Sequence, residues 1–221
     1  MKNEPRQPSR QLPLEISPPH EPRFDNYLAG ANAEALASVR ALAAGTFPEP
    51  ILYLWGEPGC GRSHLLHAAA RENPRLVLAD DVESLDPQAQ QGLFVAINTA
   101  REGGAAVLAS GSAAPAQLKL RDDLRTRLAW GLVYQLKALT DEQKALHLRA
   151  EAGRRGLQLT GEVVAYLLAR APRDLSTLNY ILDRLDHHSM ARQRPLTIPF
   201  VREALAQTDE RAELPRQGDK R

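Results

Sequence analysis

The 221-residue chain is 43% hydrophobic and 25% charged, with 28 basic against 27 acidic side chains and a formal net charge of +1. Such a composition excludes a globally disordered chain, and its balanced charge leaves no electrostatic footprint for duplex DNA. A single cysteine, Cys60, excludes an internal disulfide, and apolar runs such as ILYLW (residues 51–55) fall far short of the roughly 20 residues a membrane span needs. With no signal peptide at its start, the chain is expected in the cytoplasm, without membrane partners.

Six of the 16 prolines fall within the first 22 residues, so residues 1–22 are expected to form an extended arm. A helix is predicted over Ala33–Ala44, then a buried strand over Ile51–Trp55 between Pro50 and Gly56. Ser63–Arg71 predicts a helix and Arg75–Ala79 a second strand. Asp86 before Pro87 marks a helix start, a capping residue followed by proline at the first helical position, and Gly103 ends that helix near Glu102. Strands three and four are expected over Ala105–Ala109 and Leu132–Leu136. Short apolar runs separated by helices indicate an α/β fold with a parallel sheet covered on both faces.

From residue 140 the pattern is all helical. Thr140 and Gln143 make a capping box, Gly156 stops that helix, and Thr160 opens a second. A third follows Pro172, with Leu175, Leu178, Ile181, Leu182 and Leu185 on one face; Thr197 caps a fourth that runs to about Ala206. The expected organisation is an arm (1–22), a nucleotide-binding core (23–139), a helical lid (140–206) and a charged, aperiodic tail (207–221).

GEPGCGRS, residues 56–63, has the spacing of a phosphate-binding loop, G-x-x-x-x-G-K-S/T, with Arg62 in place of lysine. It lies between a predicted strand and a predicted helix, the context the motif requires. Gly56, Gly59 and Gly61 let backbone N–H groups converge on phosphate oxygens, and the helix start adds partial positive charge. Arg62 keeps the cation but clamps phosphate as a planar fork. Ser63 would hold Mg²⁺, and His64 adjoins the nucleotide-binding set. The same glycines also fit a turn that binds nothing. RLVLADD ends in Asp80 and Asp81, two acids at a strand end that can hold a Mg²⁺ shell (Asp80) and polarise a water (Asp81). Paired with the loop, they build one Mg-nucleotide site. His64 with His67 and His187 with His188 form no zinc set and read as helix-surface or packing residues.

Phosphate loop, Asp-Asp strand, third strand, LRTRLAWG (124–131) and helical lid, in that order, resemble the DnaA family of AAA+ ATPases, and within it the Hda group of regulatory inactivators. YLWGEPGCGRSHLLHAA (Tyr53–Ala69), RLAWG (Arg127–Gly131) and LTIPFVREAL (Leu196–Leu205) carry the resemblance, which spans roughly residues 11–206. It implies an AAA+ P-loop core with a short parallel sheet and a small helical lid. It further implies that Arg127 is an arginine finger projecting into a neighbouring subunit's nucleotide, and that Arg173 is a lid arginine touching phosphate in cis. In the arm, Gln11, Leu12 and Leu14 match a short motif that docks on the replicative polymerase's sliding clamp; an extended peptide with leucines for an apolar groove suits that task, though the stretch also fits an idle tail.

Three departures bear on function. Only 16 residues separate Ser63 from Asp80, so the sheet is expected to be a strand short of the family's. After the third strand the polar sensor is reduced to Ser110-Gly111-Ser112, with Ser112 where the family has an acid. The chain stops soon after the lid, where initiators carry a DNA-binding domain, so DNA is expected to be met only through the clamp. The leading expectation is a negative regulator of replication initiation. It binds ADP or ATP with Mg²⁺, sits on the clamp, and stimulates hydrolysis of ATP held by DnaA; a second copy of this chain is kept as a further partner. Two alternatives stand beside it: a self-hydrolysing ATPase of the helicase-loader type, and a nucleotide-free clamp-binding module.

Overall fold

The computed structural model describes residues 21–170, 175–192 and 196–202. Among these, residues 21–146 with Leu175 form one compact unit, and residues 147–170, 176–192 and 196–202 form another.

The larger unit is built on four parallel strands in the order β2-β3-β1-β4, namely β1 (Ile51–Trp55), β2 (Val77–Ala79), β3 (Val107–Gly111) and β4 (Leu132–Gln135). Around them run α1 (Ala33–Ala43), α2 (Arg62–Glu72), α3 (Pro87–Arg101) and α4 (Asp122–Leu128). Central β1 alternates its side chains between two cores. Leu52 and Leu54 pack with Val39 and Leu42 of α1 and Leu65 and Leu66 of α2, whereas Ile51 and Tyr53 pack with Leu93 and Ile97 of α3 and Leu124 and Leu128 of α4. Burial on both faces is why its sequence is an unbroken apolar run.

Three strands differ from expectation, β4 only in ending one residue earlier, at Gln135. β2 begins at Val77 because residues 73–76 are spent on a turn, in which the Arg75 amide donates to Asn73 Oδ1 (3.0 Å) and the Leu76 amide to the Asn73 carbonyl (3.2 Å). β3 lies two residues later than expected. The Gly104 amide turns back onto the Thr99 carbonyl (2.9 Å), and the strand begins only where Val107 aligns with Ile51, so it runs on through Ser110 and Gly111. Helix α4 has no counterpart among the predicted elements.

Caps match their signals. Asp86 Oδ1 accepts from the Ala89 amide at 2.7 Å, and Gly103 follows α3 with φ +92°. The Thr140 amide donates to Gln143 Oε1 (2.9 Å) while the Gln143 amide donates to Thr140 Oγ1 (3.3 Å), opening α5 (Asp141–Arg154). In the smaller unit α6 (Gly161–Arg170) buries Val163, Val164 and Leu167, and α7 (Leu175–Arg192) buries Leu178, Ile181, Leu182 and Leu185. Arg155 links Glu151 of α5 (3.1 Å) to Asp183 of α7 (2.8 Å), and residues 198–202 begin a further helix behind Thr197.

Candidate functional site

Strand β1 leads directly into the glycine loop, and the loop into α2. Gly61 takes the left-handed conformation (φ +97°) as residue before the helix, and a Cβ there would lie 2.7 Å from the Tyr27 ring. At Gly56 a Cβ would lie 2.3 Å from the Leu136 carbonyl, because the end of β4 runs beside the loop, the Leu136 amide donating to the Trp55 carbonyl at 2.7 Å. Gly59 also has positive φ, +80°. No side chain caps the first turn of α2, and its first backbone bond within the helix runs from the Leu65 amide to the Gly61 carbonyl (3.1 Å). The preceding amides of Arg62, Ser63 and His64 thus open the helix with its partial positive charge.

Arg62 is almost buried, its side chain 12% exposed, and its Nη2 lies 3.2 Å from Asp81 Oδ1. Its Nη1 is buried without a hydrogen-bond partner. An orphaned guanidinium donor beside an uncapped helix start fits a phosphate. Asp81 reaches Arg62 from a left-handed backbone (φ +45°), the one non-glycine residue of positive φ among the described residues. Strain of this kind persists where the surroundings impose it.

Asp80 is engaged differently. Its Oδ1 accepts from the Ser110 hydroxyl and from the Asp81 amide (3.1 Å), and the Asp81 amide also reaches Ser110 Oγ (3.3 Å). Ser110 is fully buried at the end of β3, so this bond ties the ends of β2 and β3 together. Ser63 is exposed on the first turn of α2. Among the described residues no three His, Cys, Asp or Glu side chains gather as a metal site. Mg²⁺ held by Ser63 and Asp80 would therefore complete its shell with phosphate oxygens and water, as Mg²⁺ commonly does at nucleotides.

Sequence reasoning missed Glu83. Its Oε1 accepts from the Ser112 amide at 2.7 Å, and its Oε2 is buried without a hydrogen bond. Burial pushes this carboxyl up, but hydrogen bonds from Ser112 and the charge of Arg62 outweigh it and leave the pKa below the ordinary value. A carboxylate thus stands beside Ser112, the position at which the resemblance leads one to expect an acid. The signal was present in DDVES, two residues beyond Asp81. Tyr53, whose hydroxyl donates to the Ala113 carbonyl (2.9 Å), completes the cluster; burial and the charges of Glu83 and Asp81 raise its pKa against the opposing pull of Arg62.

His64 is occupied by the first residues of the core. Its Nε2 lies 2.9 Å from the Arg23 carbonyl, so that nitrogen carries the proton, and its ring sits 5.4 Å from that of Tyr27. Burial lowers its pKa. Tyr27 in turn lies on the loop, its hydroxyl donating to the Cys60 carbonyl (3.5 Å) and accepting from Asn32 (3.3 Å); burial pushes its pKa up to about 12. The buried Cys60 thiol is pushed up by the same cause. The other histidine of that pair, His67, is exposed.

Arg127 lies at the end of α4, which also carries Arg125 and is preceded directly by Arg121. Arg125 is paired with Asp122 (2.7 Å) and Arg121 with Asp123 (2.6 Å) and Gln91 (2.8 Å). Arg127 has no carboxylate partner among the described residues. Its guanidinium lies 3.5 Å from the centroid of Trp130 and 5.4 Å from that of Phe94. Gln11, Leu12, Leu14 and Arg173 lie outside the described residues.

The sequence profile described as "Hda, lid domain" matches residues 141–205. A protein of Haemophilus influenzae is 34% identical over 229 residues, a match covering 89% of this chain and 99% of that protein. The chain belongs to the DnaA family of AAA+ proteins, close to Hda. The fold of this Hda-related chain is that of domain III of the Thermotoga maritima replication initiation protein DnaA (TM-score 0.69, 18% identity, 85% of this chain and 97% of that one). DnaA of Aquifex aeolicus, solved with AMPPCP bound, is also similar (TM-score 0.64, 19% identity, 87% and 70%). The RuvB Holliday-junction branch-migration motor of Thermotoga maritima shares the architecture more distantly (TM-score 0.60, 15% identity, 84% and 72%).

Proposed function

We propose that this Hda-related chain is a negative regulator of replication initiation that stimulates hydrolysis of ATP held by DnaA. One observation carries the reading: of Arg121, Arg125 and Arg127, only Arg127 has no carboxylate partner among the described residues, its guanidinium lying on Trp130 and Phe94. Stacking uses the face of the guanidinium and leaves its in-plane N–H donors for a phosphate brought by another subunit. In that reaction water attacks the γ-phosphorus, the bond to the β,γ-bridging oxygen breaks, and ADP and inorganic phosphate result. Arg127 stabilises the charge that develops on the transferring group, a contribution worth about 10³–10⁵ in rate where such fingers act in trans.

The protein's own nucleotide, ADP or ATP with Mg²⁺ at Ser63 and Asp80, sets its shape. The glycine loop and the amides of α2 bind phosphate, and phosphate competes with Asp81 for Arg62. Gln11, Leu12 and Leu14 dock the protein on the sliding clamp, which brings it to DNA at the replisome, and Arg173 joins the phosphates from the lid.

The test is hydrolysis of DnaA-bound ATP with DNA-loaded clamp, with the wild-type protein, a Gln11→Ala/Leu14→Ala variant and an Arg127→Ala variant. Both variants should lose the stimulation, the first with loss of clamp binding and the second with clamp binding intact. Robust turnover by the isolated protein that vanishes in Asp81→Asn would instead make it an ATPase in its own right.

A further inference from the structure

We propose that Trp130 is the positioning residue for Arg127, its indole presenting the guanidinium to the phosphate of a neighbouring subunit; the proposal rests on the reading of Arg127 just given. The backbone of Trp130 is fixed from both sides. Toward the helix, the Trp130 amide donates to the Arg127 carbonyl (3.1 Å) and the Ala129 amide to the Arg125 carbonyl (3.3 Å), so the turn that ends α4 places the ring beside Arg127. Toward the sheet, the next residue is Gly131, where a Cβ would lie 2.2 Å from the Ile51 carbonyl, and Leu132 then pairs with Leu52 in the sheet. Trp130 is thus clamped between a helix end and the central strand, while the residue remains 39% exposed.

On that ring lie two cations, Arg127 at 3.5 Å and Arg101 of α3 at 4.7 Å from the centroid. The first distance is stacking contact. A long arginine side chain has many rotamers, and a free one would spend little time in any single geometry. A rigid aromatic face removes that freedom without consuming an N–H donor. A carboxylate partner would consume them, as Asp122 does for Arg125. Phe94 supports the same guanidinium from α3 at 5.4 Å. Two like charges on one indole repel, so Arg127 stays there through the indole with Phe94 behind it, and has no carboxylate anchor among the described residues.

The experiment compares full-length wild type with Trp130→Ala, Trp130→Phe and Arg127→Ala. Release of phosphate from DnaA-bound ATP is measured with DNA-loaded clamp, as a function of the concentration of this protein. Trp130→Ala should lower the maximal stimulated rate about five- to thirty-fold, the equivalent of a cation–π contact, with the half-saturating concentration unchanged. Trp130→Phe, which keeps a π face, should recover most of the rate. Should Trp130→Ala fold poorly by thermal melting, Trp130→Leu replaces it as an apolar side chain without a π face. A stimulated rate within about twofold of wild type in Trp130→Ala or Trp130→Leu, with Arg127→Ala inactive, overturns the inference and leaves the function standing. A higher half-saturating concentration with an intact maximal rate also overturns it, because Trp130 would then be a docking contact. Full stimulation by Arg127→Ala overturns the reading of function itself.

Discussion

Tyr27 lies across the phosphate loop, and its contact with Gly61 can be measured as a coupling energy. In Gly61→Ala the new residue must hold φ +97°, and its Cβ would stand 2.7 Å from Tyr27 Cε2. The left-handed backbone costs a residue with a Cβ about 1–2 kcal/mol. Forcing a methyl group into occupied space costs a further 1–3 kcal/mol or so. The ring cannot simply swing aside, since Tyr27 bonds the Cys60 carbonyl and Asn32 and packs on His64. Gly61→Ala should therefore lose about 2–5 kcal/mol in all. In a Tyr27→Ala background the space is open and only the backbone cost of about 1–2 kcal/mol remains. The coupling between the two sites is then about 1–3 kcal/mol, read as a smaller loss in the double variant than the single losses sum to. Thermal melts of the four proteins give it directly, at about 2–4 °C per kcal/mol for a chain of this size. Losses that add to within about 0.5 kcal/mol would refute the contact and with it the placement of Tyr27 over the loop.

Two further outcomes follow from single groups. Burial, with the charge of His67 adding, keeps the pKa of His64 below its ordinary 6.5, so the unfolded chain takes up the proton more readily than the folded one. The stability that His64 contributes is complete above about pH 6.5 and is lost as pH falls through the lower folded-state value; melts of wild type and His64→Gln should therefore converge on acidification from about pH 7.5 toward pH 5.5, and a constant difference would contradict this. Asp86 caps α3 through the Ala89 amide at 2.7 Å. Removing that cap in Asp86→Ala should cost about 1 kcal/mol, or roughly 2–4 °C in Tm, with Asp86→Asn near wild type; equal melting of all three would show the cap to be idle.

Local signals proved legible where they sufficed. ILYLW is β1 residue for residue because an apolar run between Pro50 and Gly56 has only a buried strand to become. Asp86-Pro87 and Thr140 with Gln143 mark helix starts because capping is settled within one turn of chain. Strand β3 was displaced because its last residues, Ser110 and Gly111, are not apolar; Ser110 is buried only because Asp80, thirty residues away, accepts its hydroxyl. Helix α4 was hidden by RDDLRTR, whose charges mask the two residues it buries, Leu124 and Leu128.

By itself the sequence determined the phosphate loop, the acid pair behind it, the α/β core with its helical lid, and the family, since each rests on neighbours along the chain or on motif order. Only the tertiary structure decided how those groups are engaged. It turned Asp81 to Arg62 and Asp80 to Ser110, brought Glu83 beside Ser112, laid Tyr27 on Gly61, and set Arg127 on Trp130 and Phe94 while Arg121 and Arg125 took carboxylates. Most of those contacts join different strands, helices and loops, and strand register and helix packing bring them together across distances that spacing along the chain does not encode.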